Sequence, residues 1–119
     1  MKLWIDDVRP APEGYIWAKS VNEAEAIIFD YEWWQKGILD ELDFYWLDLI
    51  SANDTGKVEL IDIDHDAGDY ASDGGDYIKL LDWLEETGRN YPIRIHSMNP
   101  VGIANMRRII ERNGWEEVK

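Results

Sequence analysis

The sequence predicts an α/β domain in which a parallel sheet is covered by helices. Three observations point there. Short apolar runs at residues 3–5, 58–64 and 92–96 have the length and apolar content of buried strands. The segments between them place apolar residues three and four apart, the spacing of one helix face. No linker, repeat or low-complexity tract interrupts the alternation, and strands that alternate with helices pair in parallel with helices on the sheet faces. The length, 119 residues, fits a single domain over residues 1–119.

Taken in order, Leu3-Trp4-Ile5 is an apolar run that stops at Asp6-Asp7 and reads as the first strand. Pro10 and Pro12 keep residues 9–14 out of a helix interior, so they form a loop. Residues 15–18 follow as a second short strand. Ser20 is placed to cap a helix, and Glu23 three residues later completes a capping box. That helix is predicted over residues 21–35, with Ala24, Ile27, Ile28 and Tyr31 facing a core. Residues 37–56 carry Ile38, Leu39, Leu42, Tyr45, Trp46, Leu49 and Ile50 at helix-like spacing. They are predicted as a further helix or helical extension, closed by a turn at 53–56.

The run at 58–64 is the third strand. The Gly-, Asp- and Ser-rich stretch at 67–75 is predicted as a flexible loop. Tyr77, Leu80, Leu81 and Leu84 outline a helix ending near Gly88. After a fourth strand at 92–96, Asn99 suits an N-cap and Pro100 the first helical position. Ile103, Met106, Ile109 and Ile110 give this last helix its apolar face, and Gly114 ends it. Residues 115–118 are predicted as a short terminal strand.

Formal net charge is −13, from 25 acidic and 12 basic residues. Such a field repels a nucleic-acid backbone, which argues against general nucleic-acid binding, and it attracts cations. With no cysteine, disulfides, thiolate metal sites and cysteine nucleophiles are excluded. No run reaches the roughly 18 apolar residues of a membrane span, and the start lacks the apolar segment of a secretion signal. Cytoplasmic residence with no membrane partner is therefore the expectation. Seven Trp and six Tyr read chiefly as core and rim. Trp33, Trp34, Tyr45 and Trp46 would otherwise form an aromatic surface for a protein partner.

Three strands end in polar residues: the first at Asp6 and Asp7, the third at Asp64, His65 and Asp66, the fourth at His96 and Ser97, with Asn99 just beyond. In a parallel sheet these groups meet at the carboxyl edge, where such folds place their sites. Clustered carboxylates need a cation or protonation to limit repulsion, and oxygen ligands suit hard ions such as Mg2+, Mn2+ or Ca2+. Asp6, Asp7 and Asp64 are the first candidates as ligands, Asp66 the next. Imidazole from His65 or His96 would favour Mn2+, iron or zinc over Mg2+. Each histidine reads as a general acid or base, or as a ring that bonds loop backbone. Ser97 lacks the glycines of a nucleophile elbow, so its hydroxyl suits a phosphate or a metal-bound water. The helix start near Asn99 suits a phosphate too. Arg9 is placed to clamp an anion or to form a surface ion pair. The loop at 68–75 lacks the ligand order of an EF-hand, and no Gly-Lys-Ser/Thr follows Gly74-Gly75.

Together, Asp6-Asp7 with Arg9-Pro10, then Asp64-His65-Asp66-Ala67-Gly68, Gly75-Asp76-Tyr77 and His96-Ser97-Met98-Asn99-Pro100 resemble the cyclic-phosphate-processing receiver-like domains. These are relatives of the receiver domains of two-component response regulators. The resemblance implies a three-layer flavodoxin-like parallel sheet of order 2-1-3-4, with a short fifth strand to follow. It implies a magnesium site from Asp6, Asp7 and Asp64, with Asp64 at the phosphoacceptor position and Ser97 at the hydroxyl position. Two departures stand out. Residues 8–14 are too few for a full first helix. Lys119 is not in the Lys-Pro context of a receiver's phosphate-gripping lysine, and no last helix follows.

The leading expectation is a metal-dependent phosphoesterase that uses Mg2+ or Mn2+ on a cyclic phosphate or cyclic nucleotide. Asp64, His65 and His96 would do the chemistry, and Arg9, Ser97 and Asn99 would hold the phosphate. The alternative is a non-catalytic receiver-like signalling or nucleotide-binding module. A third reading is a conventional phosphoacceptor at Asp64.

Overall fold

The computed structural model of the chain describes residues 1–36 and 56–119. Four strands, β1 (Lys2–Ile5), β2 (Tyr15–Ala18), β3 (Leu60–Ile63) and β4 (Ile93–Ile95), form one parallel sheet in the order β2-β1-β3-β4. The described helices are α1 (Val21–Gln35), α2 (Ile78–Glu86) and α3 (Pro100–Asn113). The result is a reduced flavodoxin-like α/β fold with the expected strand order. The helix predicted over residues 37–56 lies outside the described residues, except for Gly56.

The sheet sorts its side chains by period two. Leu3 and Ile5, Ile16 and Ala18, Ile61 and Ile63, and Ile93 are all buried, and the register sets Leu3 beside Ile16 and Ile61 and sets Ile61 beside Ile93. The alternate positions put Lys2, Trp4, Tyr15, Trp17, Asp62 and Arg94 on the opposite face. The steps β2-α1-β3 and β3-α2-β4 advance across the sheet in one direction. Right-handed crossovers therefore bring α1 and α2 to the same face. The packing agrees: α2 lies against both α1 and α3. Among the described residues no helix covers the face that carries Trp4 and Asp62. A second helical layer, as in a three-layer sandwich, is thus not among them.

Local chemistry explains the element ends. The Ser20 hydroxyl accepts the Glu23 N–H at 3.0 Å and caps α1. The Glu23 carboxylate reaches back to the Lys19 N–H at 3.2 Å, one residue before the donor that a capping box would use. Val21, Ala24, Ile27, Ile28 and Tyr31 face the core, as predicted. Asn99 caps α3 by accepting from the Gly102 N–H at 3.0 Å, and Pro100 occupies its first turn. Gly114 closes α3 in the left-handed region at φ 67°.

Two predicted elements differ. Residues 67–75, predicted as a flexible loop, contain a 3-10 helix, Gly68–Ser72. Side chains hold its ends: Asp76 accepts the Ala67 N–H at 3.1 Å, and Asp73 accepts from the Ser20 hydroxyl at 2.6 Å and the Asn22 amide at 2.9 Å. The terminal strand predicted over 115–118 is one parallel bridge, Ile93 to Glu117. It sits beside β4, where a fifth strand would lie. Tyr31, Tyr77 and Trp115 are core residues, whereas Trp33 and Phe29 remain partly exposed on α1. No helix among the described residues is long and apolar enough to cross a membrane.

Candidate metal centre

Because β1 and β3 are adjacent and parallel, their polar ends meet. The Asp64 N–H donates to the Ile5 carbonyl at 2.9 Å, which extends the pairing one residue past the strands and sets Asp64 beside Asp6. Asp6, Asp7 and Asp64 each offer a carboxylate oxygen, and these atoms all lie within 4.8 Å of one another. Asp6 is wholly buried and Asp64 nearly so.

Three carboxylates this close repel one another. The chain partly answers with Arg9, whose Nε lies 3.3 Å from Asp6 Oδ2 and whose terminal nitrogen lies 3.9 Å from Asp64 Oδ2. Arg9, predicted to clamp an anion, thus rests on the acidic cluster. Burial pushes the Asp6 carboxyl up, but the N–H groups of Arg9 and Val8 and the His96 ring outweigh burial and hold it below the ordinary range. The field of the cluster also reaches Tyr77. Burial, then the charges of Asp7, Asp6 and Asp64, push its phenol well above its ordinary value, and its hydroxyl donates to the Lys19 carbonyl at 2.7 Å. Three carboxylate oxygens within 4.8 Å of one another are a donor set chemically suited to a hard divalent ion, which would compete with Arg9 for Asp6 and Asp64.

Gly68, at the start of the 3-10 helix, leaves the room that Asp7 uses. A Cβ there would collide with Asp7 Oδ2 and come within 3.3 Å of its Cγ, and Gly68 has φ +56°. Gly102 does the same for His65, because a Cβ on this helical glycine would run into the imidazole.

The two histidines are held differently. His65 Nδ1 lies 2.8 Å from Asp66 Oδ1, with the Asn99 amide 3.5 Å from both groups. Its backbone N–H donates to Asp64 Oδ1 at 2.8 Å. Asp66 therefore faces His65 and solvent, with 62% of its side chain exposed. It is not brought into the group of three, although the sequence nominated it as a ligand. Ser97 turns its hydroxyl inward to accept the Asn99 N–H at 3.2 Å, and Asn99 spends its oxygen on the α3 cap.

His96 is enclosed. Its Nε2 lies 3.0 Å from Asp6 Oδ2, its Nδ1 lies 2.6 Å from Asp62 Oδ1, and its ring stacks on Trp4 at 3.8 Å between centroids, 5° from parallel. Sequence reasoning overlooked Asp62 and Trp4. The missed signal is period two. Asp62 and Asp64, Trp4 and Asp6, and Arg94 and His96 are pairs two apart in strands, so each pair shares the face that lacks a described helix.

A cavity of about 570 Å³ lies at the opposite, N-terminal edge of the sheet, lined by residues that include Glu32, Lys36, Lys57, Arg89 and Tyr91. None of the acidic cluster lines it. The bidentate Arg89–Glu32 ion pair in its wall joins the segment before β4 to α1 and reads as structural.

A family model described as the cyclic-phosphate processing Receiver domain matches residues 1–112. No curated protein and no solved structure matches the chain.

Proposed function

The chain belongs to the cyclic-phosphate processing receiver family, and from that premise we propose that it is a metal-dependent phosphoesterase acting on a cyclic phosphate or cyclic nucleotide. The observation that carries this is the convergence of Asp6, Asp7 and Asp64 within 4.8 Å. These three would hold a divalent ion, Mg2+ or Mn2+ by their all-oxygen donor set. When bound, the ion supplies Lewis acidity toward a phosphoryl oxygen and lowers the pKa of water.

The chain's own residues then divide the rest. Arg9 is half exposed beside the cluster and can turn from Asp6 and Asp64 onto phosphate oxygens. Ser97 and Asn99 would offer a hydroxyl hydrogen and a side-chain amide to the phosphate, since the Asn99 and Gly102 N–H groups are already taken at the α3 cap. Opening a cyclic phosphodiester forms one P–O bond from water, breaks one ring P–O bond, and delivers a proton to the departing oxygen. His65 is the group this reading assigns to that proton, with Asp66 holding its Nδ1 at 2.8 Å. Both nitrogens of His96 are engaged inside the protein, so this reading gives it a supporting role rather than proton transfer.

The test is calorimetric titration of Mg2+ and Mn2+ into wild type and Asp64→Ala, followed by a screen of cyclic phosphates. Metal binding that the substitution abolishes, with turnover lost in Asp64→Ala and in His65→Ala, is the expected result. Turnover that survives in Asp64→Ala overturns the assignment. Metal and nucleotide binding with no turnover would instead identify a non-catalytic signalling module, a reading favoured by the enclosure of His96.

A further inference from the structure

We propose that Asp62 is a positioning residue for the metal centre, acting through His96. The proposal rests on the metal reading of Asp6, Asp7 and Asp64, and it adds a residue that touches none of the three.

Asp62 stands in the middle of β3 with no solvent exposure. A buried carboxylate costs several kcal/mol unless partners satisfy it, so its partners show what it does. One oxygen, Oδ2, takes Arg94 at 3.3 Å. The other, Oδ1, takes His96 Nδ1 at 2.6 Å, a charge-assisted contact much shorter than the first. The register explains the placement: Asp62 pairs with Trp4 on one side and Arg94 on the other, and His96 lies two residues after Arg94 on the same sheet face.

The imidazole is therefore fixed on three sides. Trp4 lies flat against the ring, Asp62 holds Nδ1, and Nε2 is aimed at Asp6 Oδ2. Asp6 is correspondingly fixed from two directions. Its Oδ1 accepts the Val8 and Arg9 N–H groups, each at 2.9 Å, and its Oδ2 meets His96. The Arg9 Nε also lies 3.3 Å from Oδ2, and if Arg9 turns away onto a phosphate the lone pair it leaves points in one direction, which is how outer groups sharpen a metal site. The chain Asp62–His96–Asp6 thus carries orientation from mid-strand to the cluster. Arg94 lies on the far oxygen of Asp62 and neutralises its charge.

The test is Mn2+ calorimetry on Asp62→Asn, His96→Gln, their double variant and Arg94→Gln. Asp62→Asn and His96→Gln should each weaken Mn2+ binding about tenfold. The double variant should bind no more weakly than His96→Gln alone, because Asp62 acts only through the ring. Arg94→Gln should match wild type. Additive losses, or an Arg94→Gln loss equal to that of Asp62→Asn, overturn the proposal.

Imidazole nitrogen NMR on metal-free protein gives an independent readout, and there Asp62→Asn should move the His96 signals while the amide spectrum stays folded. If wild type binds no Mn2+, the metal reading fails, and unchanged His96 signals in Asp62→Asn would then overturn the positioning role as well. Should Asp62→Asn not fold, Trp4→Leu removes the stacking wall alone. Wild-type Mn2+ affinity and His96 signals in that variant would overturn the proposal.

Discussion

Replacing Gly68 by alanine separates two costs that the structure places at one residue. The first is conformational. Gly68 has φ +56°, and a residue with a Cβ loses about 1–2 kcal/mol in the left-handed region. The second is contact, since the new methyl would occupy the space of the Asp7 carboxylate. Gly114 supplies the control. Its φ is +67°, and a Cβ there meets nothing within 4 Å, so Gly114→Ala carries the backbone cost alone.

Asp7 is only half-buried and can give way outward. The two variants should therefore lose similar stability, about 4 °C in Tm per kcal/mol for a domain of this size. Metal affinity should part them. Gly114→Ala should bind Mn2+ like wild type, and Gly68→Ala about tenfold more weakly, the scale on which disturbed ligand supports act. Thermal melts and Mn2+ calorimetry on both proteins are the assay. Wild-type affinity in Gly68→Ala would show that the position of Asp7 does not govern binding and would refute the reasoning.

Other outcomes follow from the same geometry. Gly102→Ala adds helix propensity worth about 1 kcal/mol but drives a methyl into the His65 ring. Its Tm should fall and the His65 NMR signals should shift, and an unchanged Tm with unmoved signals would contradict this. Ser20→Ala removes the α1 cap and a partner of Asp73, and should cost about 1 kcal/mol in urea unfolding; no loss would mean the cap is dispensable. The Ser20 hydroxyl and the Asn22 amide hold the Asp73 carboxyl below its ordinary range. Its folded pKa lies under the unfolded one, so its contribution is complete above about pH 4 and fades as pH falls through the folded value. The difference in urea midpoint between wild type and Asp73→Asn should therefore narrow between about pH 7 and about pH 3. A constant difference would refute that linkage.

What the sequence made legible was whatever local chemistry decides. Ser20 and the apolar spacing from Ala24 to Tyr31 set α1 to its observed ends, and Asn99-Pro100 with Gly114 set α3. Asp6, Asp7 and Asp64 were visible because each follows an apolar run that has to be a buried strand. Asp62 was not, because one acid inside such a run reads as a solvent-facing position. Only the stacking of β1, β3 and β4 shows that Trp4, Asp62 and His96 share a face. The 3-10 helix was missed because glycine, aspartate and serine signal a turn without saying what pins it. Here Asp73 and Asp76 do the pinning through partners far away in sequence or across the turn. Asp66 was nominated from its strand-end position, which marks an edge but not the direction of a side chain, and here it faces the His65 ring beside it.

The separation of Asp6 from Asp64 along the chain has a kinetic and thermodynamic consequence. β1 and β2 pair across a short connection, whereas β1 meets β3 only after the whole of α1 and residues 36–59 have been threaded between them. Closing that long loop is among the slow, entropically costly events in forming such a sheet. The acidic triad does not exist until it has happened, so the unfolded chain offers a cation no comparable site. An ion held by the triad would therefore act as a clasp on the most distant pairing in the sheet. At a free concentration 100 times its dissociation constant it would deepen the native state by about 2.7 kcal/mol.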